Sequence, residues 1–237
     1  LEEHGGFNHN QQALRLVELL EQRYPDFPGV NLSYEVLEGQ RERTSKDGAT
    51  PSGPLLEVQI VDAADSIAYD AHDADDALQM GLLDLDELAE TTLWTEAGRR
   101  AQRRYAALDD EQFRQAAVRE LLGLLVGDLL AVSQAARDAP TRLIGLSEEI
   151  AQQKRSLEQL LFRRVYRHPS VLRQRTLAGD ALQAMYERFC REPALLPGAW
   201  TIRIETAGLE RTVVDYLACM TDRHAWEEHR RLAPGDR

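Results

Sequence analysis

One long amphipathic segment, residues 58–82, constrains the fold more than any other part of the sequence. At 100° per residue, the rotation of an α-helix, its polar and apolar side chains separate onto opposite faces. The polar face carries Asp62, Asp65, Tyr69, His72, Asp73 and Asp76, and the opposite face carries Ile60, Ala64, Ile67, Ala71, Ala74 and Leu78. The spacing therefore predicts a long helix that lays one face against a core.

The polar face of this segment has two interpretations. Its carboxylates, phenol and imidazole suit a divalent cation and a phosphorylated ligand. A solvated outer face produces the same pattern, because surface helices are commonly amphipathic. From periodicity alone, the solvated face is the favoured interpretation.

Length and composition are typical of a helical globular protein rather than a membrane protein. The 237 residues are 43% hydrophobic and 29% charged, which is enough for a sizeable core. No apolar run approaches the roughly 18 residues that a membrane span needs. The net charge of −12 disfavours broad non-specific binding to nucleic acid, although a local basic patch remains possible. It is compatible with a protein that gathers metal cations around anionic substrates.

The two cysteines and the first residue bear on where the protein works. Cys190 and Cys219 are too far apart for a metal knuckle and too few for a disulfide framework, so we expect reduced, buried thiols in a cytoplasmic protein. The sequence begins with Leu1 and shows no signal-peptide pattern. We expect a fragment or a processed chain.

Capping residues, prolines and apolar rows predict helices along almost the whole chain. They are expected from residue 8 or 10 to about 24, 31 or 33 to 43, 58 to 82, 84 to 91, 95 to 108, 109 or 110 to 137, 147 to 168, 171 to 190 and 209 to 221. The longest should turn Val118, Leu121, Leu122, Leu125 and Leu129 inward. Residues 24–29 and 44–54 are predicted loops, the second mobile, and only residues 200–205 look strand-like. The predicted fold class is all-α.

Positive charge is concentrated between residues 151 and 175. This segment carries seven basic residues (Lys154, Arg155, Arg163, Arg164, Arg167, Arg173 and Arg175) against one acid, Glu158. It could contact an acidic face of the same or another subunit, or it could attract a polyphosphate or a nucleic-acid strand. Contact with an acidic face is the favoured interpretation.

Five segments, in order, resemble the dGTPase-like branch of the HD-domain phosphohydrolases. They are GGFNHNQQALRLV (5–17), NLSYEVLEG (31–39), IVDAADSIAYDAHDADDAL (60–78), VYRHPSV (165–171) and DYLACMTDRHA (215–225). Each match alone is weak, but the ordered set spans nearly the whole chain. The resemblance implies an all-helical HD-type fold and hydrolysis of a deoxynucleoside triphosphate to deoxynucleoside and tripolyphosphate.

The resemblance also implies roles for four residues. Asp65 matches the last ligand of a divalent metal, Mg²⁺ or Mn²⁺ or a transition metal. Tyr69 matches the tyrosine that contacts the phosphates, and Asp73 the aspartate near the sugar hydroxyl. His9 matches the histidine beside the reacting phosphate, where it could donate a proton or a hydrogen bond. The remaining ligands, a His and a His-Asp pair, are expected upstream of Leu1, so we expect this chain alone to be inactive.

Four further residues are weaker candidates for the same site. His4 and Asn10 lie near His9 in sequence and could bind substrate, whereas Tyr166 and Arg167 could touch the triphosphate or a neighbouring subunit. The resemblance gives Asp215 no role beyond packing. We expect an incomplete HD-type core over residues 1–145 and a helical region over residues 146–237 that packs on it and makes homo-oligomer contacts.

Two other functions fit the same residues. The first is an HD phosphohydrolase that acts on another nucleotide, and the second is a non-catalytic nucleotide-binding or oligomerisation subunit. An assay of several nucleotides for released tripolyphosphate tests the first alternative. Metal analysis of the natural full-length product tests the second. No membrane partner is predicted, and nucleic acid is possible without being predicted.

Overall fold

The structure, a computed structural model, describes residues 6–44, 55–136 and 144–233. Within these ranges the chain is helical and contains no β-strand. Two isolated bridges, Gln22 to Gly29 and Tyr24 to Phe27, lie at the predicted 24–29 loop. The predicted all-α fold is therefore confirmed. None of the described helices combines the length and the apolar character needed to cross a membrane.

The described helices follow the predicted order closely. They are α1 (His9–Arg15), α2 (Tyr34–Thr44), α3 (Leu56–Gln79), α4 (Leu85–Leu88), α5 (Thr92–Arg104), α6 (Asp110–Ala135), α7 (Glu148–Leu161), α8 (Pro169–Arg191), α9 (Gly198–Thr201), α10 (Ile204–Ala207), α11 (Leu209–Ala218) and α12 (Asp222–Leu232). π-Helical turns extend α1 over Leu16–Leu20 and α7 over Phe162–Tyr166, and a 3₁₀ turn covers Pro193–Leu195.

Several helices begin at a side chain that caps their free backbone N–H groups, as the sequence predicted. Asn8 accepts from the N–H groups of residues 10 and 11, and Ser147 accepts from residue 150. Asp84 and Asp109 form reciprocal capping boxes with Glu87 and Gln112. These local hydrogen bonds satisfy donors that have no partner inside the helix, which explains why the helix starts could be predicted from sequence.

The contacts divide the chain into two units, each described by itself. The first unit comprises the described residues within Leu1–Gly48 and Arg173–Arg237, and the second those within Ala49–Leu172. This is a different partition from the division at residue 145 expected from the sequence, which stays a prediction.

The core of the second unit is built around the small side chains of α3. Ala71, Ala74 and Ala77 are fully buried, so that α6 can approach α3 closely. Leu121 and Leu125 of α6 are also fully buried in this core. It further contains Trp94 of α5, Leu157 and Leu161 of α7, and, at its edge, Leu122 and Leu129. The predicted inward row of α6 is thus confirmed.

The core of the first unit is aromatic. Phe189 of α8 and Trp200 of α9 both pack on Tyr216 of α11, with ring centroids 5.4 and 5.3 Å apart. Met185 and Val213 are buried in the same cluster. The cluster gathers α8, α9 and α11 around one phenol ring.

Some expectations from the sequence are wrong. Residues 200–205 form helical turns instead of a strand, because N–H groups of this segment bond to carbonyls three or four residues back, as that of Arg203 does to Trp200. The helix predicted over residues 209–221 ends at Ala218, and a further helix, α12, follows it.

The predicted burial is also wrong at several positions. Cys219 is exposed and Cys190 is only partly buried. Ile60 and Ala64, placed on the inner face of α3, are exposed. Of the predicted 44–54 loop, residues 45–54 lie outside the described residues.

Candidate functional site

The polar face predicted for α3 is the outward face of that helix. Asp65, Tyr69 and Asp73 follow one another at four-residue intervals and therefore share one side of α3. The side chain of Asp65 is exposed, Tyr69 is 62% exposed, and Asp73 is half-buried. The helix thus presents a carboxylate, a phenol and a second carboxylate in a row along about two turns.

Two of the predicted site residues meet directly. The hydroxyl of Tyr166 donates a hydrogen bond to a carboxylate oxygen of Asp73. Tyr166 is the last residue of the π-helical turn that extends α7, and its neighbour Val165 is buried. π-Turns inside helices are rare and occur frequently at functional sites, because the extra residue per turn changes the direction of the side chains that follow. The π-turn and α3 together fix the position of the Asp73 carboxylate.

A buried ion pair lies beside this hydrogen bond. The ammonium group of Lys154 on α7 lies 2.8 Å from Asp70 Oδ2, 2.6 Å from Glu158 Oε1 and 2.8 Å from the hydroxyl of Ser66. Asp70 and Lys154 are both buried. The sequence prediction assigned no role to Asp70, although an acid among Ile67, Ala71 and Ala74 on a buried face calls for a cationic partner.

Burial shifts the ionisation of this cluster. It raises the pKa of Asp70 to about 6, although Lys154 acts in the opposite direction. Burial alone would lower the pKa of Lys154, but its bonds to Asp70 and Glu158 outweigh that effect and raise the pKa. The pKa of Tyr166 is raised by burial and by its hydrogen bond to Asp73, so the phenol stays protonated and remains a donor at neutral pH.

An open cavity of about 590 Å³ adjoins the cluster. It is lined by Asp70 of α3 and by six residues of α7 and its π-turn: Arg155, Glu158, Gln159, Phe162, Arg163 and Tyr166. Two guanidinium groups, two carboxylates and two aromatic rings face one space. Such a wall can hold a polar ligand with an anionic group and a flat ring.

The basic segment is used in two ways. Lys154 and Arg164 form ion pairs within the chain, Arg164 with Glu87 at 3.0 Å. Arg155 and Arg163 line the cavity instead. The guanidinium of Arg167 lies over the ring of Phe162, 5.8 Å from its centroid. Contact with acidic groups of the same chain therefore accounts for part of the positive charge, and the cavity wall for another part.

The remaining predicted residues lie in the first unit or outside the described ranges. His9 is exposed and is the first residue of α1, directly after the capping residue Asn8. The backbone N–H of Asn10 donates to Asn8 Oδ1 at 2.9 Å. His4 lies outside the described residues.

A second polar network, also missed from the sequence, lies in the first unit. The carboxylate of Asp215 on α11 accepts from Gln12 Nε2 at 3.0 Å and from Arg15 Nε at 2.8 and 2.9 Å. A further guanidinium nitrogen of Arg15 lies 2.7 Å from Asp215 Oδ2. Asp215 is 203 residues from Gln12 and 200 residues from Arg15 in sequence. Only the fold reveals the contact.

The described residues do not form a complete metal site. Within them, no three His, Cys, Asp or Glu side chains are grouped to hold an ion. A divalent cation is held tightly by several oxygen or nitrogen ligands, and the carboxylate of Asp65 is one oxygen donor on an exposed helix face. The described part of the chain therefore does not enclose an ion.

Comparison with known proteins identifies relatives of this chain. Residues 144–231 match the phosphohydrolase-associated domain. A deoxyguanosinetriphosphate triphosphohydrolase-like protein of Geobacter sulfurreducens is 37% identical over 98% of this chain and 66% of its own length. Proteins of the same name from Deinococcus deserti and Thiobacillus denitrificans are 41% and 36% identical over 99% and 98% of this chain.

The same comparisons give the share of each relative's length that this chain covers. The chain spans 66%, 64% and 67% of the lengths of these three relatives. The resemblance read from the five sequence segments is confirmed, and so is the family to which it pointed. The chain belongs to the deoxyguanosinetriphosphate triphosphohydrolase-like family of phosphohydrolases.

Proposed function

We propose that this chain carries the nucleotide-binding part of a metal-dependent dNTP triphosphohydrolase. The reaction converts dGTP or another deoxynucleoside triphosphate to deoxynucleoside and tripolyphosphate. The observation that supports the proposal most is the hydrogen bond from Tyr166 to Asp73, because it joins a conformationally fixed carboxylate to a cavity with two arginines. Such an arrangement suits a ligand with a hydroxyl group at one end and phosphates at the other.

The proposed contacts follow from the chemistry of each side chain. Asp73 keeps free acceptor capacity while it accepts from Tyr166, so it can accept a hydrogen bond from the 3′-hydroxyl of the sugar. The exposed phenol of Tyr69, one turn earlier on α3, is an uncharged donor for a phosphate oxygen. Arg163 supplies positive charge at the cavity wall and can pair with a further phosphate oxygen.

The proposed reaction is attack by water on the α-phosphorus. The bond from this phosphorus to the 5′-oxygen breaks, the 5′-oxygen leaves with a proton, and the water oxygen stays on the phosphorus of the tripolyphosphate. His9 is the proposed source of a proton or of a hydrogen bond to the phosphate oxygens. Its exposed position as the first residue of α1 leaves its ring accessible to a ligand.

The divalent metal belongs to the proposal and not to the described residues. When bound, Mg²⁺, Mn²⁺ or a transition metal would stabilise the charge that develops on the phosphoryl oxygens. Asp65 is proposed as one of its ligands. The homo-oligomeric state and the cytoplasmic location that we expect from the sequence are likewise proposals.

The experiment is a substrate panel on the protein from the complete reading frame. Each dNTP is incubated with Mn²⁺ or Mg²⁺, and tripolyphosphate, pyrophosphate and monophosphate are separated and quantified. We expect tripolyphosphate and deoxynucleoside in equal amounts. Asp73→Asn should weaken substrate binding by about tenfold, because a hydrogen bond to a charged acceptor is worth about 1.5–3 kcal/mol.

Asp76→Asn is the matched control, because Asp76 is an exposed aspartate on the same helix with no proposed role. Release of pyrophosphate or monophosphate instead would support a phosphohydrolase for a different bond. A protein that purifies without metal, binds nucleotide and hydrolyses no dNTP with added Mn²⁺ would be a non-catalytic subunit, and the proposal would be wrong.

A further inference from the structure

Asp215 holds α1 through an unusually polar attachment. Within residues 9–15 of α1, the buried side chain is Gln12, which is 8% exposed, and no apolar side chain is buried. Both oxygens of the Asp215 carboxylate, which is 1% exposed, are occupied by Gln12 and Arg15 of α1. Among the described residues, the polar contacts between α1 and α11 are therefore directional hydrogen bonds to a single carboxylate.

Such an attachment fixes orientation more than it adds stability. A buried ion pair gains little over well-packed apolar side chains, because desolvation of the two charges offsets most of their attraction. It does, however, tolerate only a narrow range of distances and angles. A helix held this way keeps a fixed rotation about its axis and a fixed position along it.

The residue that this rotation controls is His9. His9 is three positions before Gln12, so the two side chains are neighbours on the helix surface. Arg15 lies one turn beyond Gln12 and engages the same carboxylate. The two bonds to Asp215 thus set the direction in which the first turn of α1 presents its imidazole.

The amide of Gln12 gives a second indication of a ligand. Its Nε2 donates to Asp215, and its Oε1 is buried without a hydrogen-bond partner among the described residues. Leaving a buried acceptor unpaired costs about 1–3 kcal/mol. The amide cannot turn round to relieve this, because its oxygen would then face the carboxylate. A donor brought by a bound molecule would satisfy it.

We propose that Asp215 is a positioning residue that, through Gln12 and Arg15, aims His9 and the free Gln12 oxygen at the substrate. The inference rests on the proposed function for the role of His9. Asp215 itself has no contact with the reacting atoms in this proposal, and its effect passes through α1.

The test compares Asp215→Asn with Glu228→Gln in the full-length protein. Glu228 is a matched control in the same unit: it is 6% exposed, bonds to Arg231 at 2.6 and 2.8 Å, and accepts from Tyr216. None of these partners is on α1. Both variants lose a buried carboxylate, so both should lose stability, and only Asp215→Asn should misplace His9.

The expected result is a lower kcat for Asp215→Asn, by about 10- to 100-fold, because small misplacements of a reacting group cost that much. KM should change little, and Glu228→Gln should retain kcat. In a His9→Gln background the Asp215→Asn change should cost only a small part of this loss, since the imidazole that it positions is already absent. Equal losses in the two backgrounds would show a merely structural role and overturn the inference.

A readout that does not depend on turnover separates this inference from the proposed function. The imidazole NMR signals of His9, assigned from the His9→Gln variant, should shift and broaden in Asp215→Asn and stay unchanged in Glu228→Gln. If the wild-type protein hydrolyses no dNTP, the proposed function fails while this measurement still decides whether Asp215 positions His9. Unchanged His9 signals in Asp215→Asn would overturn the inference.

Discussion

The phenol of Tyr166 and the carboxylate of Asp73, 93 residues apart in sequence, are joined by a hydrogen bond between the π-turn after α7 and the middle of α3. An exposed tyrosine and an exposed aspartate need not bond to each other, because water can satisfy the hydrogen-bonding groups of both. Their pairing keeps one carboxylate oxygen of Asp73 occupied and leaves the other available. Tyr166 also lines the cavity, together with Arg155 and Arg163.

This pairing predicts energetic coupling between the two side chains. Tyr166→Phe and Asp73→Asn should each destabilise the protein, and the double variant should lose less than the sum, with a coupling energy of about 1 kcal/mol. Urea unfolding of the four proteins measures it. Tyr69→Phe, on the same face of α3 and 62% exposed, is the control and should show no coupling to Asp73→Asn. Additive losses for Tyr166 and Asp73 would contradict the contact.

The Lys154 ammonium is predicted to be the most costly charge to remove from the second unit. Lys154→Met should destabilise the protein by about 3–5 kcal/mol at pH 8, because it leaves the buried Asp70 carboxylate without its cation. The loss should be smaller at pH 5, where Asp70 takes up a proton and becomes neutral. Arg155→Met, an exposed cation on the same helix, should change stability by no more than about 0.5 kcal/mol at either pH. Equal costs for Lys154→Met at both pH values would be inconsistent with a buried pair.

Asp70 itself predicts the direction of a pH dependence. Its pKa is about 6 in the folded protein and 3.8 as the reference for an exposed aspartate, so the folded state binds more protons between these values. Stability therefore falls as pH rises from about 4 to about 6. The fall should not exceed about 3 kcal/mol, because each tenfold change in proton affinity is worth about 1.4 kcal/mol.

The measurement for Asp70 is the difference in unfolding free energy between the wild-type protein and Asp70→Asn across this pH range. Subtraction of the variant removes the contributions of the other titrating groups, such as Glu228, whose pKa is lowered mainly by its bonds to Arg231. The wild-type protein should lose stability relative to the variant with rising pH. A difference that stays constant or grows in the opposite direction would show that burial does not govern Asp70.

Sequence patterns predicted those features of the fold that depend on neighbouring residues. The caps at Asn8, Asp84, Asp109 and Ser147 are satisfied within a few positions. The sequence predicts Asp84 and Ser147 directly, and Asn8 and Asp109 each as one of two alternatives. The inward row of α6 repeats over several turns, so its period was clear. Thr221 provides the same capping signal before α12, where it accepts from His224, but the highly charged sequence that follows concealed the helix.

The features that escaped prediction depend on distant partners or on short patterns. The residues near Asp70 in sequence do not indicate Lys154 as its partner, and those near Asp215 do not indicate Gln12. Both contacts join distant parts of the chain and form only on folding. The alternation in residues 200–205 covers too few positions to distinguish a strand from helical turns. The family resemblance implied the roles of Asp65, Tyr69, Asp73 and His9, and the structure shows a hydrogen-bond partner for Asp73 on another helix.

Gly29 is predicted to be irreplaceable for steric reasons. Its φ is +71°, and a Cβ atom there would lie 2.2 Å from the backbone oxygen of Val17, which accepts from the N–H of Val30. Gly29→Ala should therefore cost about 3 kcal/mol or more, since backbone atoms must move. Gly81→Ala is the matched control, because its φ is +64° with nothing within 4 Å. It should cost only about 1–2 kcal/mol for the left-handed conformation. Thermal unfolding of both variants checks the difference, and similar losses would show that the contact with Val17 does not matter.

The proposed role of Asp65 as a metal ligand predicts how much its carboxylate contributes to Mn²⁺ affinity. Because no three potential ligands are grouped among the described residues, the 237-residue chain should have only weak affinity for Mn²⁺, with a Kd of about 10⁻⁴ M or weaker. In the protein from the complete reading frame, Asp65→Asn should weaken Mn²⁺ binding by at least about tenfold, since the charge and the oxygen geometry of one ligand are lost. Asp76→Asn removes a similar exposed charge from the same helix and should leave binding unchanged. Electron paramagnetic resonance of free Mn²⁺ measures the affinity of the 237-residue chain, of the protein from the complete reading frame and of its two variants. If the two substitutions weaken binding equally, only the general negative charge of α3 attracts the ion, and Asp65 is not a ligand.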